Sequence, residues 1–204
     1  MFYDTKLNNH NLQYNPFKSC IVPRPIGWIS SQNKEGIVNL APYSYFNAVA
    51  DVPPVVMFAS GFRLDGSDKD SLRNVEATGE FVVNIASYDL RNQMNQSSSD
   101  LLYGVSEPEK FNIKMEKSTF VKPPRVKLAA ISLECKYIKT VSIEVEEKLA
   151  SSKLVLGHVV GIYIDDRIIV DRKIDISKLK PIARLGYDEY AVINEIFKMS
   201  KSSN

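Results

Sequence analysis

Histidine and cysteine are scarce, with two of each in 204 residues, and there is one tryptophan. Cys20 and Cys135 lie far apart, and only His10 and His158 could join them, so no cluster has the spacing of a metal site. Both cysteines fall in strand-like runs and read as buried, reduced thiols acting as small hydrophobes. Charge of one sign is also missing as a block: 26 basic and 24 acidic side chains leave a net charge of +2. Neither a nucleic acid nor an anionic membrane is therefore expected as a partner. No run approaches the ~20 apolar residues of a membrane span. The N-terminal stretch MFYDTKLNNHNLQYNPF is polar and has no apolar signal core, so a cytoplasmic protein is expected. The sequence contains no G-x-G-x-x-G, no G-x-x-x-x-G-K-[ST] and no G-x-S-x-G, which removes most of the weight from P-loop and hydrolase readings.

What is present is an ordinary globular mix, 44% hydrophobic and 25% charged, with the texture of β-structure. The length favours one domain, and no convincing boundary interrupts it; the weakest point is the loop around 95–125. SCIVPRPIGWIS is β-branched and aromatic-rich but broken by two prolines, which suits an edge or a bulge. SQNKEG is a turn and IVNLA resumes the sheet, so a hairpin is expected there. VVMFAS, EFVVNIAS, AAISLECKYIKTVSIEV and SKLVLGHVVGIYID are further strands. In the third of these, Ile131, Leu133, Cys135 and Tyr137 alternate with polar residues, as in a half-buried strand. KDSLRNVEATG reads as a helix with Asp70 as N-cap, Leu72 and Val75 facing inward, and Gly79 as its stop. DISKLKPIA predicts a helical turn and EYAVINEIFKM a closing helix. Without βαβ alternation, these elements predict a mostly antiparallel barrel or sandwich with helices packed outside.

One segment stands out. From Pro23 to Pro54 the chain has hardly any charge after Glu35 but many small polar residues beside an aromatic. Trp28, Ser30, Ser31, Asn39, Ser44, Tyr45 and Asn47 bracket the expected hairpin. Such residues supply N–H and hydroxyl donors without bulk, so they could cradle a flat polar ligand, or simply form a plain sheet ending in a loop. In KDSLRN, a helix N-terminus with Lys69 and Ser71 suits a phosphate, whereas Asp70 as N-cap would occupy the same N–H groups and repel an anion. A capped helix with no ligand is the plainer reading of that stretch taken alone. His158 lies in an apolar strand beside Gly157, where the absence of a side chain suggests a close approach to the backbone. Arg184, in a Pro/Gly-bounded loop, could anchor an anion, line a subunit seam or be solvated.

Taken together, PRPIGWISSQNKEGIVNLAPYSYFNAVADVPPVVMFAS, KDSLRNVEATGEFVVNIAS, GHVVGIYIDD and PIARLGYDEYA resemble the flavin reductase-like family, nearest its flavoredoxin-like branch. The resemblance covers roughly residues 15–192 of a single 1–204 domain. It implies the FMN-binding split barrel: mainly β with peripheral helices, antiparallel, and dimeric with non-covalent FMN at the subunit seam. It implies that Trp28, Ser30 and Ser31 form a wall beside the flavin. The APYSYFN loop, with Ser44, Tyr45 and Asn47, would meet the ring and ribityl chain. Ser60, Lys69, Asp70 and Ser71 would form the phosphate end, and Arg184 would match the family's ARLG stretch. His158 would sit at the mouth, where NAD(P)H or an acceptor approaches. Ser31 and Ser71 stand where the family often has threonine, and the hydroxyl is kept. The histidine after Gly157 replaces an acid found in many relatives, which leaves the electron donor open. The implied activity is NAD(P)H-dependent reduction of FMN, or of a small acceptor through bound FMN. The alternatives are a flavodoxin-like electron carrier or flavin-binding module, and a relative that uses the barrel for haem or a pyridoxal-type phosphate.

Overall fold

The structure, a computed structural model, describes residues 1–146 and 148–200. The elements that position the site are β1 (Gly27–Gln32), β2 (Val38–Tyr43), β3 (Phe46–Asp51), β4 (Pro54–Gly61), α1 (Asp70–Thr78), β5 (Glu80–Ile85), α2 (Arg91–Gln96), α3 (Glu107–Lys110), β6 (Ile131–Val145), β7 (Lys148–Ile164), β8 (Ile182–Arg184) and β9 (Tyr190–Val192). Seven of them form one antiparallel sheet in the order β2-β1-β5-β6-β7-β4-β3. β2 and β3 are its two edges, yet only Ser44 and Tyr45 separate them in sequence. Two residues span less than ~10 Å from strand end to strand end. The sheet therefore has to roll until its edges nearly meet, which gives a barrel split along one seam. β8 and β9 form a small sheet with Arg24–Pro25.

The weakly charged segment is explained by burial on both faces. Gly27 to Ser31 of β1 are all buried. Ile29 faces the barrel core with Phe58, Phe81, Val83, Leu72 and Val75. Trp28 faces a second cluster with Ile26, Leu40, Leu90 and Met94 outside the barrel. Ser30 and Ser31 are fully buried and satisfied: Ser30 Oγ donates to the Pro124 carbonyl at 2.6 Å, and Ser31 Oγ accepts from Asn74 Nδ2 at 3.2 Å. Small hydroxyls let a strand pack tightly on both sides without orphaned polar groups. A residue that gave no signal in the sequence, Asn84, ties the layers together. Its Nδ2 donates to the Trp28 carbonyl at 2.9 Å, and its Oδ1 accepts from Val126 N at 2.8 Å and Ser132 Oγ at 2.9 Å.

The expected hairpin is β1–β2, and Gly79 closes α1 in the left-handed conformation at φ 75°. Four expectations fail, the first being the loop position of Arg184, which ends strand β8 and pairs with Tyr190. Asp70 is the first residue of α1 and not its cap; Lys69 holds the N-cap position, with no side-chain cap hydrogen bond. Cys20 is exposed at the end of a short helix, Phe17–Cys20, while Cys135 is buried in β6 as expected. The closing helix is not formed: Tyr190–Val192 pair with β8 as strand β9, and residues 193–200 carry no regular structure. Ladder bonds to β8 hold the first three residues of that segment extended, and Ile196, Phe197 and Met199 beyond them find no surface to bury against.

Gly157 does mark a close approach, but to the core. A Cβ at that position would lie 2.3 Å from the ring of Phe81. Overpacking against a fully buried ring costs about 1–3 kcal/mol. Gly157→Ala is therefore expected to lower unfolding stability by about that amount, read from the shift in the urea midpoint at unchanged slope.

Candidate functional site

The seam of the barrel is also concave. A cavity of about 320 Å³ opens beside the Ser44–Tyr45 link, floored by Asn39, Tyr43 and Glu107 and closed at one end by Lys69, Asp70 and Ser71. A second, of about 390 Å³, adjoins it through Lys18, Pro42, Ser44 and Ser98. Each is within the size range of small-molecule and cofactor sites. Ala59 N donates to the Tyr45 carbonyl at 2.8 Å, which anchors the link to β4. The N–H groups of Ser44 and Tyr45 find no acceptor among the described residues, so both remain available to a ligand.

At the helix end the charges are arranged unexpectedly. Asp70 turns away from the first turn of α1 and pairs with Arg63, while its second oxygen accepts from Gly104 N at 3.3 Å. Arg63 also donates to the Leu101 carbonyl at 2.8 Å. The carboxylate that would have repelled an anion is thus neutralised, and the first N–H groups of α1 keep their partial positive charge. Ser71 Oγ accepts from Asn39 Nδ2 at 2.8 Å, which leaves its own proton free to donate. The Tyr43 hydroxyl is buried and has no hydrogen-bond partner among the described residues. Burial raises its pKa, and the nearby Ser71 and Ser60 hydroxyls offset part of the rise. A buried donor without a partner is costly, and a ligand in the cavity would relieve that cost.

Glu107 is the other buried acid among the described residues lining the first cavity. It is 5% exposed, and Oε2 accepts from Leu40 N at 2.8 Å. Burial pushes its carboxyl up to about 7, against the pull of that N–H; Asp70 adds to the rise and Arg63 opposes it. Glu107 therefore titrates near neutrality inside a cavity whose other charged walls include Lys69 and Lys18.

The residues singled out by sequence divide into three sets. Ser44, Tyr45, Lys69, Asp70 and Ser71 line the first cavity, and Ser44 and Arg184 line the second. Arg184 is held by the Tyr190 hydroxyl and the Tyr187 carbonyl, with Asp188 at 3.7 Å. Trp28, Ser30, Ser31 and Ser60 lie behind the cavities, fully buried. Trp28 acts through a neighbour: its Nε1 donates at 2.8 Å to Ser97 Oγ, which braces the Ser97–Asp100 rim of the first cavity. Asn47 and His158 lie outside both cavities. Asn47 is exposed on β3, where its Oδ1 accepts from Ala48 N at 2.9 Å. His158 pairs with Val55 at one end of β4, whereas the cavity meets β4 at Ala59 and Gly61. Four residues of strand carry Val55 roughly 13 Å from the nearer of these, Ala59. Sequence reasoning missed Tyr43, Arg63, Glu107 and the serine rim, which come from separate segments and share no spacing. The serine run was the only visible signal, and it had the composition of a loose loop.

The model of the flavin reductase like domain matches residues 19–173. The chain belongs to that family. Nitrilotriacetate monooxygenase component B from Bacillus cereus is 31% identical, with a TM-score of 0.89 and 98% of each chain covered. The 2-nitrobenzoate 2-nitroreductase NbaA of Pseudomonas fluorescens is 26% identical, with a TM-score of 0.85, over 100% of this chain and 97% of that one. The flavoredoxin of Desulfovibrio vulgaris (Miyazaki F) shares the fold at 16% identity and a TM-score of 0.75, over 90% of this chain and 93% of that one. Membership makes the rolled, unclosed sheet a flavin reductase-like split barrel and places the chain among flavin-linked oxidoreductases. No helix among the described residues is long and apolar enough to cross a membrane.

Proposed function

We propose that the paired cavities bind FMN without a covalent bond and that the protein is an NAD(P)H-dependent oxidoreductase acting through it. The observation that carries this reading is the pair of uncommitted N–H groups at Ser44, which lines both cavities, and Tyr45, which lines the first. Lys69, the Ser71 hydroxyl and the open N-terminus of α1 would hold the phosphate. The Ser44–Tyr45 amides and the Tyr43 hydroxyl would donate to the polar edge of the ring or to the ribityl chain. FMN would supply the redox chemistry, taking two electrons from a nicotinamide and passing them on. The protein's part is to bind, orient and offer fixed dipoles where negative charge develops on the ring. No side chain has to form a bond to substrate.

Anaerobic mixing of the FMN-loaded protein with NADH or NADPH tests the reaction. Prompt bleaching of the flavin band by one of them is expected. Reduction by dithionite alone would replace the enzyme with an electron carrier, and a protein that takes up no FMN in a calorimeter would end both readings. Because His158 stands apart from the cavities, His158→Ala is expected to leave FMN affinity within about twofold. We further propose a homodimer in the cytoplasm. Ile138, Val141, Ile143 and Val145 along β6 are 36–60% exposed, apolar side chains of the kind that a second copy covers. The two free cysteines suit a reducing compartment. Sedimentation equilibrium at about twice the 23.0 kDa chain mass is the expected result.

A further inference from the structure

A third cavity, of about 540 Å³, lies beside the two proposed to hold FMN. It is not isolated: Met94, Asn95, Arg184 and Tyr190 line it and also line the adjoining 390 Å³ cavity. Its occupant would thus share a wall with whatever fills the seam. Met94 and Ile182 are buried, and with Ala191 and Val192 they give the cavity an apolar wall. The polar side is set by two arginines in different states. Arg184 is consumed by the Tyr190 hydroxyl, the Tyr187 carbonyl and Asp188. Arg91 is fixed but not consumed. Its guanidinium lies 3.9 Å from the ring centre of Tyr88, and Nη1 donates to the Tyr88 carbonyl at 2.8 Å. Among the described residues no acid pairs with it, and its Nε and Nη2 have no acceptor. The Nε–Nη2 edge is one of the two parallel forks by which arginine holds a carboxylate through two bonds. Among the described residues lining the cavity Asp188 is the only acid; it is fully exposed and already faces Arg184.

We propose that this cavity is a ligand site for planar aromatic monocarboxylates. The ring would lie against Met94, Ile182 and Val192, and the carboxylate would sit on the Nε–Nη2 edge of Arg91. Delivery of electrons to such a ligand rests on the flavin reading, but its binding does not.

The test uses the full chain with ¹³C-methyl methionine and benzoate as probe, the Met94 signal being assigned by its loss in Met94→Leu. Benzoate is expected to shift that signal saturably, in flavin-free and FMN-supplied samples alike. Benzamide, which has the same shape without the charge, is expected to bind about tenfold or more weakly. Arg91→Ala is expected to cost benzoate at least that factor and bring the two ligands level, with Arg91→Lys recovering part of the loss. Arg91 is exposed, so an unchanged melting temperature in the variant should show that the fold is intact. Equal affinity for benzoate and benzamide in the wild type, no saturable shift, or an Arg91→Ala variant that binds benzoate normally would each overturn the proposal. An FMN titration on the same samples keeps the two readings apart: a benzoate response in a chain that ignores FMN supports this site while removing the flavin.

Discussion

Replacing Lys69 and Ser71 together with alanine is expected to weaken FMN about a hundredfold while leaving riboflavin within about twofold. Lys69 contributes a full charge and Ser71 a hydroxyl whose proton is uncommitted, because its oxygen already accepts from Asn39. Each charge-assisted hydrogen bond to a phosphate is worth roughly 1.5–3 kcal/mol, and a hundredfold is about 2.7 kcal/mol. The comparison with riboflavin isolates the phosphate, since both ligands carry the same ring. Parallel calorimetric titrations provide the measurement. Equal losses for the two ligands would move the phosphate away from α1. The Asp70–Arg63 pair is what allows this end of the cavity to take an anion, and Arg63→Ala should act in the same direction by setting a buried carboxylate free.

The second large effect is a pH dependence centred on Glu107. Its folded pKa of about 7 lies above the ordinary carboxyl value of 4.5. Between those values the unfolded chain has released the proton and the folded chain has not, so the unfolded state binds fewer protons and stability falls as pH rises. The contribution is complete below pH 4.5 and is lost by about pH 7, and a difference of that size amounts to about 3 kcal/mol. Glu107→Gln keeps an acceptor for Leu40 N and removes the titration. The stability of the variant relative to wild type should therefore rise by about 3 kcal/mol between pH 4.5 and pH 8, as read from urea unfolding at each pH. FMN should show the same group from the other side. An ionised Glu107 shares a cavity with the proposed phosphate site, so FMN affinity should drop above pH 7 in the wild type and stay level in the variant. The phosphate's own second ionisation lies near pH 6 and is complete before that drop. A flat wild-type profile above pH 7 would place the phosphate out of reach of Glu107.

The sequence made the strand texture and the hairpin plain, because alternation and turn chemistry are local. It did not show that both faces of β1 are covered, which is why Ser30 and Ser31 looked like ligand contacts and are packing hydroxyls. Asp70 fitted an N-cap by position, but Arg63, seven residues upstream, offered a full charge in a buried setting and won over backbone N–H groups. Gly157 signalled a close neighbour correctly; nothing local could reveal that the neighbour is Phe81, more than seventy residues away. Glu107 and Tyr43 became site residues only when the sheet rolled and brought seven separate stretches of chain to one seam. The tail misled for a related reason: an amphipathic pattern predicts a helix only where a surface exists to receive its apolar side.

The two-residue strap between the barrel's edges has a mechanical corollary. A guest gripped there touches both lips of the gap at once, so it works as a clasp as well as a passenger. Each tenfold excess of guest over its dissociation constant should add about 1.4 kcal/mol of resistance to unfolding. Lengthening the strap by a single residue would loosen clasp and guest together.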